Sequence, residues 1–578
     1  MNKQAKTNKI AIILGVFISL MGITWGRLVY LQIIQQERLT LLSTFNFMRL
    51  IKINPPRGNI LDTHDELLAT NKPVFAVCWH GSGKKNLTEQ HHMLIQELAQ
   101  LLSLSITDTF INELQQTERL QRSLVLAKKI SFEQLSYLVE HFCDSVNIMI
   151  QTDMQRYYPR QNIASHIIGY LSTQNVDVVG KMGLEKIYEQ ELKGTPGIKK
   201  QTVNATGKAL EEQEFQAYIM GKNIRTTIDI ELQEYAEKAF PAQDIGCMII
   251  MDPYTGALRA LLSRPSFNPD MFLRHISQQE WDSLQETHFF INRACQACYP
   301  PASLFKLVTM AAALEHAIIS PDAIRMCPGY YLFHDRPYHC NLKTGHGLVN
   351  LKEALAQSCN VIFFEIGKKI AIDTLAQYAH RFGLGEPTGI ILPEKTGLVP
   401  TSSWKRLIKG EHWRQGETLS AAIGQSFLLV TPIQIARMFG SIASGYLVRP
   451  RILEDETIEK LPLTIQESTR AFLKKCMKAA IKHGTGKRVR DIPHITIYGK
   501  TGTAQVSSLD TIDTDQEHRS HAWFAANFAY KDQAPLTMVI MVEHAGGSRK
   551  PTCIAKEFLK LYQRHITQKT TQGELLNK

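Results

Sequence analysis

Tyr299-Pro300-Pro301-Ala302-Ser303-Leu304-Phe305-Lys306 runs on through apolar helix-forming residues to Ala313. Prolines before the serine and small residues around it favour a helix that begins at about Ser303. Ser303 and Lys306 then stand at i and i+3 on one face. That placement suits covalent chemistry, because a serine hydroxyl is a poor nucleophile until a neighbouring base takes its proton. A lysine becomes such a base when burial and a nearby cation lower its pKa. Taken alone, the stretch reads better as a helix-capping serine with a snorkelling lysine. Two further stretches change that reading. Ser358-Cys359-Asn360 lies 55 residues on, and Lys500-Thr501-Gly502-Thr503 follows after another 142. The ordered set is what acyl transfer from an active-site serine requires.

Ser358 and Asn360 fall in an amphipathic stretch, Leu351 to Lys369, that reads as one helix. Polar residues among Ala356, Val361 and Phe363 suit a helix face turned to a cleft; the plain alternative is a solvated helix surface. Ser358 can relay a proton between Lys306 and a leaving amine, and Asn360 can hold a substrate amide. Lys500-Thr-Gly-Thr503 closes a strand, with Gly499 before it. A glycine in an edge strand lets a second backbone approach, so an extended peptide can add there. Lys500, Thr501 and Thr503 would bind a carboxylate. The Ser303 and Thr503 amides would form an oxyanion hole. Lys500 would also supply the cation beside Lys306.

Outward from these stretches, the pattern alternates strands and helices. Gly246 to Asp252 reads as a buried strand, Pro253-Tyr-Thr-Gly256 as a turn, and Leu258 to Leu262 as its return. Ile495 to Lys500, Trp523 to Phe528 and Leu536 to Glu543 read as three more strands. Cys553 to Tyr562 reads as a closing helix. An antiparallel sheet drawn from both ends of this region, with a helical insert between, predicts an α+β layered domain. The polar stretch Ser507 to Arg519 is expected to be a loop. Upstream, Asn54-Pro-Pro-Arg-Gly-Asn-Ile-Leu-Asp62 predicts a rigid entry to a folded region. Leu94, Leu98, Leu101 and Leu102 predict a helix within Leu87–Leu102, and Leu192-Lys-Gly-Thr-Pro-Gly197 a helix that stops at glycine.

The 578 residues are 44% hydrophobic and 21% charged, which excludes a disordered chain. The net charge of +11 shows no dominant Lys/Arg block. It reads as a solvated basic face or as attraction to an anionic surface, and no nucleic-acid-binding signature accompanies it. Ile10 to Gly26 is apolar and uncharged, and Arg27-Leu-Val-Tyr-Leu31 extends it. With Arg27 snorkelling it is long enough to span a bilayer. Lys3, Lys6 and Lys9 predict a cytoplasmic N-terminus and an external remainder. Trp25, Arg27 and Tyr30 occupy the place of a small-residue cleavage site, so an uncleaved anchor is expected over a signal peptide. The ten cysteines do not form a disulfide-rich scaffold.

With these motifs in place, the chain resembles a class B penicillin-binding protein. The resemblance includes the anchor, Pro56-Arg-Gly-Asn-Ile-Leu-Asp62, Thr227-Ile-Asp229 with Leu232-Gln233, Asp252 with Thr255-Gly256, Asn292-Arg-Ala294, Trp413-x-x-Gly416 and Gly424-Gln425. It is most similar to the elongation-type subfamily, penicillin-binding protein 2. The resemblance implies a tail 1–9, an anchor 10–31, an elongated pedestal 32–215, a transpeptidase domain 216–568 with a serine β-lactamase-like fold, and a tail 569–578. It implies a peptidoglycan D,D-transpeptidase at the inner membrane, with a periplasmic catalytic domain and no catalytic cofactor. The expected partners are stem peptides, β-lactams and a SEDS-type glycosyltransferase. Two departures stand out: Ala302 where the family often has glycine, and Gly424-Gln-Ser426 for Gly-Gln-Gly. A β-lactamase or β-lactam sensor, or a silent scaffold of the wall-synthesis complex, are the competing readings.

Cys327, Cys340, His346 and Cys359 form a soft Cys₃His set that suits structural zinc. Relatives of the same subfamily carry metal ligands at matching positions. A Cys327–Cys340 disulfide or buried thiols are the alternatives, and His339 could replace His346. Cys295-x-x-Cys298 reads as buried thiols.

Overall fold

The computed structural model describes residues 2–40, 48–120, 122–142, 145–174, 177–203, 209–274, 276–505 and 519–576. Cys143 and residues 507–518 of the expected loop lie outside these. The chain forms two compact units that interleave in sequence. One holds residues 1–58, 71–155 and 193–222; the other holds 59–70, 156–192 and 223–578. The sequential division at 215/216 is therefore not the division by contact. Segments 59–70 and 156–192 join the larger unit because their apolar residues are spent in its core: Ile60, Leu68, Ile167, Leu184 and Leu192 are all buried there.

The smaller unit opens with a helix, Asn2–Val29, continued by a wider turn, Tyr30–Ile34. Residues 8–34 are long and apolar enough to cross a membrane, and side chains such as Ile12, Phe17 and Trp25 stand exposed. Its length and composition suggest a membrane anchor. Farther along, Met48–Ile53, Gly197–Val203 and Ala209–Gln216 make a three-stranded antiparallel sheet. The helix Glu89–Leu102 starts where Thr88 caps it, two residues later than its apolar spacing suggested. Helices Glu89–Leu102, Asp108–Arg119 and Phe132–Phe142 pack around Val77, Trp79, Leu98, Leu114 and Leu138. The fully buried Glu118 carboxylate is satisfied by the Trp79 indole at 3.0 Å, Asn147 Nδ2 at 3.1 Å and the Ser82 amide at 3.0 Å.

The larger unit is built on a five-stranded antiparallel sheet. Its order is Leu258–Arg264, Gly246–Met251, Leu536–Val542, His521–Tyr530 and Ile495–Ala504. Successive residues serve opposite cores: Ile249, Met251, Trp523 and Val539 face one, and Met248, Ile250, Phe524 and Ile540 the other. Both faces are covered by helices, which is why Gly246–Met251 and most of Leu536–Val542 read as near-continuous apolar runs. Ile230–Ala239 and Arg549–Leu576 cover one side; Pro432–Ser444 and Lys306–Glu315 cover the other. All five predicted strands are present. The closing helix starts at Arg549 and runs to Leu576, well past the expected Tyr562 and through the expected tail. Its first half buries Ile554, Phe558 and Tyr562, and nothing after Tyr562 breaks a helix before Gly573.

Local chemistry fixes the entry segment. Asp62 accepts from the amides of His64 and Glu66 through Oδ1, and from that of Ile230 through Oδ2. It thereby closes a turn and holds the start of the helix that Asp229 caps. The buried Arg156–Glu185 pair, 2.7 Å apart, ties segment 156–192 to itself, with Tyr158 adding a hydrogen bond to the same carboxylate.

Candidate active site and metal centre

Ser303 lies in a single 3₁₀ turn, Ala302–Leu304, and the α-helix proper starts at Lys306. The expected helix start is thus displaced by three residues. The turn is clamped from outside: the Ala302 amide donates to Gly424 O at 2.9 Å, and Tyr299 exchanges two backbone bonds with Val430. The Trp523 indole donates to Pro300 O at 3.0 Å. Ala302 sits at φ 50° and Ser426 at φ 68°, both left-handed. That explains why glycine suits both places, and why the turn survives here at roughly 1–2 kcal/mol of strain per residue. Gly424 has no such latitude. A Cβ there would stand 2.0 Å from Ala302 O, and its φ is 78°. Gly424→Ala should therefore cost roughly 2–5 kcal/mol and displace the nucleophile turn, visible as a lowered melting temperature together with slowed penicillin acylation.

The stretch 351–369 is two helices, Leu351–Ala356 and Asn360–Lys369, not one. The first ends because Ser358 turns left-handed, at φ 59°, and the Ser358 and Cys359 amides close onto Leu355 O and Ala354 O. The break aims Ser358 at Ser303. Ser358 Oγ donates to Ser303 Oγ at 2.9 Å. Lys306 is fully buried and its Nζ donates to Ser358 O and to Asn360 Oδ1, each at 2.8 Å. It also reaches Ser358 Oγ at 3.3 Å and Cys359 O at 3.4 Å. Burial pushes the Lys306 ammonium down to about 8, against a smaller opposing effect of the Cys359 and Cys340 thiols. Asn360 differs from its expected use: Oδ1 is taken by Lys306, and Nδ2 donates to His339 O at 3.2 Å.

The strand Ile495–Ala504 carries the third stretch along the sheet edge, two residue pairs beyond where it was expected to stop. Lys500 is fully buried and donates to Thr501 O at 3.0 Å. Burial first, and then the charge of Lys306, pull its pKa well below the ordinary lysine value. Gly502 lets the strand lie against the nucleophile turn, since a Cβ there would meet Trp523 Cβ at 3.2 Å and Pro301 O at 3.3 Å. The Thr501 hydroxyl, almost buried, donates to Thr485 Oγ1 at 2.6 Å. Thr503 is half-buried on the same edge strand. Sequence reading missed Thr485, whose only signal is a threonine between two glycines, Gly484-Thr485-Gly486.

Directly behind the second stretch, Cys327, Cys340, His346 and Cys359 bring their donor atoms within 4.8 Å of one another. The Cys327–Cys340 and Cys340–Cys359 sulfurs are 3.8 Å apart, and His346 Nδ1 is 3.5 Å from both Cys327 and Cys340. A tetrahedral ion with bonds of about 2.3 Å to sulfur and 2.0–2.1 Å to nitrogen requires spacings of about 3.8 and 3.5 Å. A disulfide requires about 2.0 Å, and both cysteines are free thiols. Cys340 is held low, at about 4, by the adjoining Cys359 thiol and by the amides of Leu342, Asn360 and Val361. His339 stands exposed, outside the cluster. Cys295 and Cys298 are also free thiols, the first fully buried.

A serine in reach of a second hydroxyl and a buried lysine, beside a lysine-bearing edge strand, defines an active-site-serine acyl transferase. The penicillin binding protein transpeptidase domain matches residues 246–560, and the penicillin-binding protein dimerisation domain matches residues 52–226. The chain belongs to the penicillin-binding protein family, as a class B transpeptidase of the PBP2 type. The peptidoglycan D,D-transpeptidase MrdA of Acinetobacter baumannii is 30% identical over 595 residues, covering 94% of this chain and 86% of that protein. Among solved structures, the Helicobacter pylori PBP2 in complex with MreC is similar at a TM-score of 0.76 and 30% identity, over 90% of this chain and 99% of that one. A chain from a peptidoglycan synthase complex, solved in a study of coordinated polymerization and crosslinking, is similar at 0.75 and 27% identity, over 96% and 98%.

Proposed function

We propose that Ser303 is the acyl-accepting nucleophile of peptidoglycan D,D-transpeptidation, with Lys306 its base and Ser358 the proton relay between them. The observation that carries this is the Ser358 hydroxyl, bonded to Ser303 Oγ at 2.9 Å and within 3.3 Å of Lys306 Nζ. For proton flow towards Lys306 the hydroxyl bonds reverse, with Ser303 donating to Ser358 and Ser358 to the neutral amine; hydroxyl protons rotate freely enough for this. Ser303 Oγ attacks the carbonyl of the penultimate D-Ala of a stem peptide. The C–N bond breaks, the leaving D-Ala amine takes the proton returned through Ser358, and an acyl-serine remains. An amine of a neighbouring stem then attacks the ester, loses a proton to the same relay and restores Ser303. The Ser303 and Thr503 amides serve the oxyanion. Lys500, Thr501 and Thr503 hold the terminal carboxylate, with Gly502 keeping their strand close. Asn360 fixes Lys306 rather than the substrate, a role supported by its 2.8 Å bond.

Cys327, Cys340, His346 and Cys359 hold a structural zinc ion, supported by the donor spacings and by the depressed Cys340. The ion would pin the loop 340–346 to the residue between Ser358 and Asn360. The helix at residues 10–31 anchors the protein once in the inner membrane, N-terminus inside, with a pedestal at 32–215 and a periplasmic transpeptidase domain at 216–568. The enzyme cross-links wall during elongation. The similarity to a PBP2 solved with MreC and to a chain of a peptidoglycan synthase complex supports partners of those kinds for this chain; a SEDS-type glycosyltransferase is the partner the family resemblance implies.

The test is intact mass of the full-length protein in detergent after benzylpenicillin, beside Ser303→Ala. A single persistent adduct that is lost in the variant is expected. An adduct retained on Ser303→Ala refutes the nucleophile; one that hydrolyses rapidly in the wild type makes the protein a β-lactamase instead.

A further inference from the structure

Between the second and third catalytic stretches stands a residue that belongs to neither. After the helix Glu467–Lys482 the chain turns through His483-Gly484-Thr485-Gly486. Gly484 is pressed onto the helix that precedes Ser358: a Cβ there would stand 2.1 Å from Ala356 O. The Thr485 amide donates to that same Ala356 carbonyl at 3.1 Å. Its hydroxyl reaches the other way, 2.6 Å from Thr501 Oγ1. Thr485 therefore ties the backbone two residues before Ser358 to the side chain of the strand expected to meet the carboxylate. It is half-buried, whereas Thr501 is almost fully buried.

A threonine hydroxyl has one proton and two lone pairs. Without substrate, Thr501 gives its proton to Thr485. A carboxylate accepts only, so Thr501 can bind one only by turning that proton towards it. Its oxygen is then left with acceptor capacity alone, and the Thr485 hydroxyl, 2.6 Å away, can donate to it. We propose that Thr485 is a positioning residue for substrate carboxylate recognition: it takes the Thr501 proton when the site is empty and donates its own when the carboxylate arrives. This rests on the reading of Thr501 as a carboxylate ligand. The reversal keeps both oxygens bonded in either state, and the resulting chain, Thr485 to Thr501 to carboxylate, polarises in one direction.

The probe pair is benzylpenicillin and its methyl ester, which differ in the carboxylate alone. The second-order acylation rate of full-length protein is measured for wild type, Thr485→Val, Thr485→Ser and Thr501→Val. Thr485→Val should slow benzylpenicillin by up to about tenfold, the upper scale of one neutral hydrogen bond. It should leave the ester nearly unchanged, and Thr485→Ser should restore the rate. Equal slowing of acid and ester by Thr485→Val would mean that Thr485 only braces the fold, and would overturn the proposal. Acid-selective slowing by Thr501→Val but not by Thr485→Val would also overturn it, while the Thr501 reading stands. If Thr501→Val fails to separate acid from ester, the Thr501 reading falls and this proposal with it.

Discussion

Lys306→Met should leave a folded protein that acylates with benzylpenicillin roughly a hundred- to ten-thousandfold more slowly than wild type. The size follows from what Lys306 does. General-base removal of a proton contributes roughly 10²–10⁴-fold to such reactions, and among the described residues no other amine is bonded to Ser358: Lys500 is engaged with the carbonyl of Thr501, the next residue on its own strand. Methionine keeps the length and flexibility of the side chain and removes only the amine. The fold should tolerate this because the hydrogen-bond partners of the buried ammonium are neutral oxygens, those of Ser358, Cys359 and Asn360. Burial already disfavours the ammonium, so its removal relieves one cost. The loss leaves the Ser358 carbonyl and Asn360 Oδ1 each short of a donor, at about 1–3 kcal/mol apiece. These terms oppose, and stability should move by no more than about 2 kcal/mol. Stopped-flow acylation rates and a thermal melt on the same sample separate the two effects. Acylation within tenfold of wild type would remove Lys306 from the role of base.

Much of this site was legible because the chemistry is written in short local patterns. Ser303 and Lys306 need only a helical turn between them, and the apolar run to Ala313 supplies it. The five strands were legible because both faces of the sheet are buried, which turns Gly246–Met251 and most of Leu536–Val542 into near-continuous apolar runs. The break at Ser358 was not. Residues 351–369 keep a helical apolar period across it, and a left-handed serine leaves no mark in composition. Nor was the interleaving of the two units. Segments such as 156–192 resemble their sequence neighbours, and only long-range packing of Ile167, Leu184 and Leu192 assigns them. Thr485 escaped for the same reason. Its importance lies in two contacts made across 129 and 16 residues of chain, to Ala356 and Thr501.

With zinc in the proposed Cys₃His site, Cys359→Ser should release the ion and lower the melting temperature on the order of 10 °C, while acylation falls with it. The argument starts from position. Cys359 is the residue between the relay serine and the asparagine that holds Lys306, and it is fully buried. Its neighbour in the cluster, Cys340, takes the Asn360 amide at 3.3 Å, so the cluster grips the backbone on which both polar side chains ride. A structural zinc contributes about 10–16 kcal/mol where it alone organises a peptide. Here the two helices that flank the site are already packed into the larger core, so only the loop 340–346 and the break at 357–359 depend on the ion. A few kcal/mol is the appropriate share, and for a domain of this size each one is about 2–4 °C. Serine preserves volume but is a poor zinc ligand. Metal analysis of untagged protein should give one zinc per chain for wild type and none for the variant. Wild type without zinc, and with two fewer free thiols than its sequence contains, would replace the ion with a disulfide. A variant that loses zinc yet acylates at the wild-type rate would show that the break at Ser358 holds its shape from the helix-closing bonds to Ala354 and Leu355 alone.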